Sequence, residues 1–120
     1  MNTQRGSAVV EFALILPLVL ILILGVVEVA IVARSEIQLI HAAREGARQA
    51  AVSPDTSQAS AAVRKALGAA GPGARISVSR PAAIGEPAQV RVSVRHRVGA
   101  PILGGFTVDL AASASMRTER

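Results

Sequence analysis

No cysteine occurs in the 120 residues, and the only aromatic side chains are Phe12 and Phe106. The first absence removes disulfides and thiolate metal sites. It leaves the compartment open, since many exported proteins also lack cysteine. The second sets a limit on the interior. Aromatic side chains supply the largest buried areas, so a soluble part of this chain has a light, alanine-diluted core and gains from neighbours in an assembly. Histidine is scarce as well: His41 and His96 stand far apart, and each reads as an ordinary, partly exposed side chain. No nucleophile–base pair, metal cluster or glycine-rich phosphate loop can be assembled from the residues, and Gly104-Gly105 reads as a turn. The chain is therefore expected to be no enzyme and to carry no cofactor or metal. Acidic residues are outnumbered, 8 against 13 Lys and Arg, for a net charge of +5. A basic balance raises nucleic acid as a partner. The arginines are not gathered on one helix and no aromatic platform accompanies them, so a solvated basic surface is the better reading.

What the sequence has in abundance is one apolar run. Phe12 to Val27 contains sixteen residues without a charge, and it is led by a single acid, Glu11. An ionised carboxylate close to hydrocarbon costs a few kcal/mol or more, so such an acid marks a functional site by default. The run continues past Glu28 to Ala33, where Arg34 ends it. From Phe12 to Ala33 a helix reaches about 33 Å at the usual rise, enough to cross a bilayer. A secretory signal fits less well. Arg5 is the only charged side chain ahead of the run, and a cut after Ala33 would need a small residue where Ile31 stands. A retained helix from about Ser7 to about Val52 is the simplest reading. Its water half is marked by Ile37, Ile40, Ala43, Ala47 and Ala51 at spacings of three and four, and Ser53-Pro54-Asp55 stops it.

Within the apolar half, Pro17 and Gly25 interrupt the pattern. Pro17 removes one backbone hydrogen bond, and its role is open between a tolerated kink and a point of bending in an assembly. Glu28 has two readings as well: an interfacial acid reaching toward headgroups, or an intersubunit partner for an arginine such as Arg34. Charge beside the run does not favour a cytoplasmic N-terminus, because Arg34, Arg44 and Arg48 lie on the far side. A long C-terminal domain makes that rule weak.

Gly6-Ser7-Ala8-Val9-Val10-Glu11-Phe12 resembles the class III signal of type IV pilins and pseudopilins. The resemblance implies cleavage between Gly6 and Ser7 by a prepilin peptidase, with Glu11 as fifth residue of the mature chain and the helix retained. Ser7 then gains a charged amine, which Glu11 can neutralise one turn on or in a packed neighbour. A paired charge at that depth costs far less than a lone acid, and glycine suits an extended backbone entering a protease cleft. A second motif, Ala42-Ala43-Arg44-Glu45-Gly46-Ala47-Arg48-Gln49-Ala50-Ala51, resembles the signature of TadE-like proteins, pseudopilins of the tight-adherence (Flp) pilus. The Ser113-Ala114-Ser115 neighbourhood, ending Met116-Arg117-Thr118-Glu119, also resembles the close of that family. Residues 5 to 52 carry the resemblance and 53 to 105 carry little. Major Flp pilins are shorter and nearly all helix, so a minor pilin is implied; larger relatives carry long additional domains for which there is no room here.

Beyond the long helix, Asp55 to Leu67 reads as a short helix, with Asp55 as its N-cap and Gly68 as its stop. Gly71-Pro72-Gly73 reads as a turn. Alternation in Ile76 and Val78, in Val90, Val92 and Val94, and in Phe106, Val108 and Leu110 predicts three strands joined by Pro81–Pro87 and Gly99–Gly105. Arg91, Ser93, Arg95 and Arg97 interleave the second run as a wet basic face, and Asp109 points outward from the third. The expected fold class is α+β: a long N-terminal helix, membrane-spanning in its first half, then a short helix and a small antiparallel three-stranded sheet. The expected domains are a leader over 1–6, a transmembrane half over 7–33, an extracytoplasmic half over 34–52 and a small pilin-like domain over 53–120. Gly46, costly in a helix by roughly 1 kcal/mol relative to alanine, is read as a point of close helix packing.

With the resemblance, the expected function is a minor pilin acting in assembly or initiation of the pilus. Its expected partners are the prepilin peptidase, other pilins of the system, the inner-membrane assembly platform and the lipid bilayer, with no nucleic acid. The expected location is the bacterial inner membrane, single-pass, with the N-terminus cytoplasmic. Two alternatives stay open: an uncleaved single-pass protein with an extracytoplasmic binding module, and a product freed by a signal peptidase near Ala33.

Overall fold

A computed structural model describes residues 2–99 and 105–119. The order of elements is α1 (Asn2–Val52), α2 (Thr56–Leu67), a 3₁₀ helix (Gly68–Gly73), β1 (Arg75–Ser79), β2 (Pro87–Val98) and β3 (Phe106–Arg117). The three strands form one antiparallel sheet in the order β1-β2-β3. This is the α+β arrangement of a long helix, a short helix and a small sheet that the hydrophobic periods indicate. The chain divides into two compact units, Met1–Ile31 and Val32–Arg120, and α1 contributes to both.

The first unit is helix alone. Its side chains from Thr3 to Val27 are exposed, Leu14, Leu18 and Leu22 among them. The helix is long and apolar enough to cross a membrane and suits a membrane anchor. It begins at Asn2 rather than near Ser7, so Gly6 is helical and not extended. Helix entry therefore does not wait for the apolar run, because nothing in Thr3-Gln4-Arg5 breaks a helix. Pro17 lies inside α1 without ending it, although its ring deprives the carbonyl four residues earlier of a donor.

The second unit is built on a helix face of very small side chains. Leu39, Ala42, Ala43, Ala47 and Ala50 of α1 are buried against Ala59, Val63 and Leu67 of α2 and against Ala88, Val90, Val92 and Leu110 of the sheet, and Ala51 is buried as well. The core is light, as the shortage of aromatics requires. The buried stripe is rotated from the one read in the sequence. Ile37 and Ile40 face out, at 57% and 39% exposure, and Leu39 with Ala42 takes the inward place. Gly46 explains the choice. A Cβ there would overlap Val63 Cγ2 and sit 3.2 Å from Val90 Cγ1. The seam thus runs where the backbones approach most closely, and branched isoleucines do not fit it.

Asp55 caps α2: its carboxylate accepts from the backbone N–H of Ser57 at 2.9 Å and from the Ser57 hydroxyl at 2.6 Å. The hydroxyl bond, then the backbone bond, holds the carboxyl below its ordinary value of 3.8. Gly68 closes the helix at a φ of 59° that favours glycine, and its N–H reaches Arg64 O and Lys65 O. The chain then enters a 3₁₀ helix, so Gly71-Pro72-Gly73 forms part of Gly68–Gly73 and not a separate turn. β3 is also longer than its alternation indicates. It continues through Ser113–Arg117, paired with Arg91–Pro87 of β2, because small residues complete a ladder as well as valines do. Phe106 is 65% exposed at the start of β3, beyond the reach of the core. The connector expected over Gly99–Gly105 includes residues 100–104, which lie outside the described residues, as does Gly104 of the expected turn.

Two distant segments hold the end of α1. Arg80 Nε donates to Ala50 O at 2.8 Å, and the backbone N–H of Glu119 donates to Ala51 O at 3.1 Å. A cation and a donor at a helix C-terminus satisfy carbonyls left without partners and oppose the helix dipole. Thr118, buried at 3% exposure, fastens the same region. Its hydroxyl lies 2.8 Å from Glu86 O and 3.1 Å from Ala83 O and accepts from Gly85 N–H.

Two outcomes are expected from thermal unfolding of the full chain in detergent. Gly46→Ala gains about 1 kcal/mol of helix propensity but overpacks against stiff valines at a cost of about 1–3 kcal/mol, so Tm falls; a rise in Tm would remove the close-packing account. Thr118→Val removes the hydroxyl shared by Glu86 O, Ala83 O and Gly85 N–H and costs about 1 kcal/mol. Thr118→Ser, keeping the hydroxyl, should lose clearly less than Thr118→Val.

Candidate functional site

The residues around the N-terminal glycine share one helical turn and its neighbour. Ser7 Oγ donates to Glu11 Oε1 at 3.4 Å, the spacing of residues four apart on a helix. Both side chains are exposed. Gly6, one residue before Ser7, has no atom within 4 Å of where a Cβ would stand. The structure therefore brings Glu11 beside Ser7 and leaves the Gly6–Ser7 peptide uncovered on one side. Farther along the same unit, Gly25 opens a shallow apolar depression with Ile21, Leu22, Val26 and Val29. Glu28, half-buried, and Arg34, exposed, take part in no ion pair among the described residues. Six positions apart on a helix, they lie on different faces.

In the second unit the motif Ala42–Ala51 divides by face. Ala42, Ala43, Gly46, Ala47, Ala50 and Ala51 are buried, whereas Arg44, Glu45 and Arg48 are exposed. Arg48 and Glu45 form an exposed pair at 3.8 Å, a type that contributes little to stability. The motif's small residues serve packing and its charges face water.

The sheet presents two chemically different faces. Ala88, Val90, Val92 and Leu110 face the helices. The alternate positions carry Arg75, Ser77 and Ser79 on β1, Arg91, Ser93, Arg95 and Arg97 on β2, and Thr107, Asp109 and Ser113 on β3. Asp109 meets Arg95 at 3.5 Å. The wet basic face read from β2 thus extends to β1. Arg75 is absent from a reading of the middle run alone; the alternation of Ile76 and Val78 puts it on that face once the register is known.

His41 is exposed. His96 is half-buried on the core side opposite Val108, and its Nε2 is buried without a hydrogen-bond partner among the described residues. No group of three or more His, Cys, Asp or Glu side chains that could hold a metal exists among the described residues. Sequence reasoning gave neither Arg80 nor Thr118 a structural role. Arg80 is one arginine among many, and Thr118 sits in a polar tail; no local pattern distinguishes either.

A single apolar helix, headed by a glycine and an acid five residues on, leads into a small α+β unit. Residues 6–48 match the model of the family described as TadE-like protein. The matched stretch contains Gly6 and Glu11 and runs into the Ala42–Arg48 motif, so over these residues the chain is similar to TadE-like proteins, the family its motifs resemble. No curated protein and no solved structure matches the chain.

Proposed function

We propose that this protein is a minor pilin, or pseudopilin, of a tight-adherence (Flp) type IV pilus. A prepilin peptidase cuts it between Gly6 and Ser7, and it then acts in assembly or initiation of the pilus. It is a substrate of processing rather than an enzyme. The observation that carries the reading is Glu11 beside Ser7, on an exposed helix face, inside the segment that matches the TadE-like family. Cleavage converts the Ser7 nitrogen into an amine one helical turn from Glu11. In the bilayer that amine offsets the cost of the carboxylate, in the same subunit or in a neighbour.

The exposed apolar side chains from Val9 to Val29 need lipid or other helices around them. On this reading the depression at Gly25 receives a neighbouring pilin helix, Pro17 marks a point where α1 bends or extends, and Glu28 pairs with Arg34 of an adjacent subunit. The peptidase faces the cytoplasm, and the residues from Arg34 onward lie beyond the inner membrane. The partners are the peptidase, fellow pilins, the assembly platform and the bilayer. A second reading keeps the helix as an uncleaved anchor for a binding module; the small unit with its own core favours it no less than the first.

Mass spectrometry of the membrane-associated protein, from cells with and without the peptidase, separates these readings. A peptidase-dependent N-terminus at Ser7, abolished in Gly6→Leu, is the expected outcome. A start at Met1 with active peptidase present establishes the uncleaved anchor, and a start after Ala33 a discarded signal. Glu11→Ala is expected to be cut normally and to reduce piliation at least ~tenfold, the scale of about 1.4 kcal/mol in one equilibrium. Wild-type piliation in that variant rules out the amine pairing.

A further inference from the structure

The sheet face turned away from the helices carries arginines, hydroxyls and small residues, with no large apolar side chain on the positions from Arg75 to Ser79, Gln89 to Arg97 or Thr107 to Ser115 that alternate with the core. At its centre Arg75 of β1 lies opposite Ser93 of β2, and Arg91 and Arg95 flank Ser93 two residues to either side. Each of those steps is about 7 Å along the strand. Three arginines thus occupy the strand positions around one serine. They line a depression of about 490 Å³ with Ser93, Asp109 and Ala111. Only one acid enters it. Asp109 meets Arg95 at 3.5 Å, both side chains being more than 70% exposed, and Arg75 and Arg91 have no acidic partner among the described residues. Clustered cations of this kind repel one another and attract an anion, and guanidinium forks match carboxylate, phosphate and sulfate oxygens in pairs.

We infer that this face binds an anionic polysaccharide. Arg75, Arg91 and Arg95 take its acidic groups, and the rows of serine on β1 and β3 take its hydroxyls. The chemistry of the face selects that partner over others. A stable protein interface needs apolar and aromatic anchors at its centre, and this one has none. Single-stranded nucleic acid needs aromatic stacking platforms, also absent. A second copy would bring the same positive charges face to face. The inference concerns the Val32–Arg120 unit and is independent of whether the chain is a pilin.

The test uses the full chain in nanodiscs of zwitterionic phosphatidylcholine, with alginate and dextran sulfate as probes and neutral dextran as control. Binding to at least one anionic probe, weakening as salt rises, is expected. The variant R75Q/R91Q/R95Q should bind ~tenfold or more weakly. R44Q/R48Q/K65Q removes the same charge from exposed helix positions and should change binding less than about threefold. Should the triple sheet variant fail to fold by circular dichroism, R91Q alone is expected to weaken binding at least ~threefold. Equal losses in the two triple variants would reduce the effect to net charge and overturn the inference. So would equal binding of neutral dextran, no binding of either anionic probe, or binding confined to nanodiscs containing phosphatidylglycerol or to polyglutamate.

Discussion

The close approach that the second half of α1 permits is the constraint on which the Val32–Arg120 unit depends. A helix face of Ala42, Ala43, Gly46, Ala47, Ala50 and Ala51 has almost no side-chain relief. Val63 of α2 and Val90 of β2 therefore reach the backbone of α1 at Gly46 itself. The area each alanine buries is small, but close contact recovers dispersion that a chain without tryptophan or tyrosine cannot gain from large rings. The same constraint keeps Ile37 and Ile40 out of the seam. It also accounts for tolerating glycine in mid-helix, where its propensity cost is set against the clash that any Cβ would bring.

A core so light leaves much to hydrogen bonds at the edges. The end of α1 is held by Arg80, which follows β1, and by Glu119, which follows β3. Thr118 binds the β1–β2 connector to the last strand. These contacts join segments thirty or more residues apart and close the unit at the helix terminus, where free carbonyls would otherwise be left to water. Asp55 and Gly68 perform the same service locally for α2.

Function divides along the chain in the same way. The N-terminal unit has apolar surface and one acid turned outward, which suits a life among lipids and other helices. The second unit turns its apolar residues inward and its arginines outward, which suits an aqueous compartment. The TadE-like segment spans residues 6–48 and so includes the apolar helix and the packing face that supports the small domain. The basic sheet lies outside it.

Much of this was legible without coordinates. A charge-free run of sixteen residues can only be a membrane helix, a signal or a buried core element, and period-two valines beside arginines specify a strand with one wet face. Glycine, acid and apolar run in fixed order carry the resemblance to TadE-like proteins, because each residue acts within a few positions of the others. What the sequence by itself determined is therefore local: the elements and the caps of α2 at Asp55 and Gly68. Only the tertiary structure decided which stripe of α1 is buried, that Arg75 joins Arg91 and Arg95 around Ser93, and that Arg80 and Thr118 secure the ends. Those outcomes depend on strand register and on backbone approach between residues distant in the chain, and no periodicity within one segment encodes either.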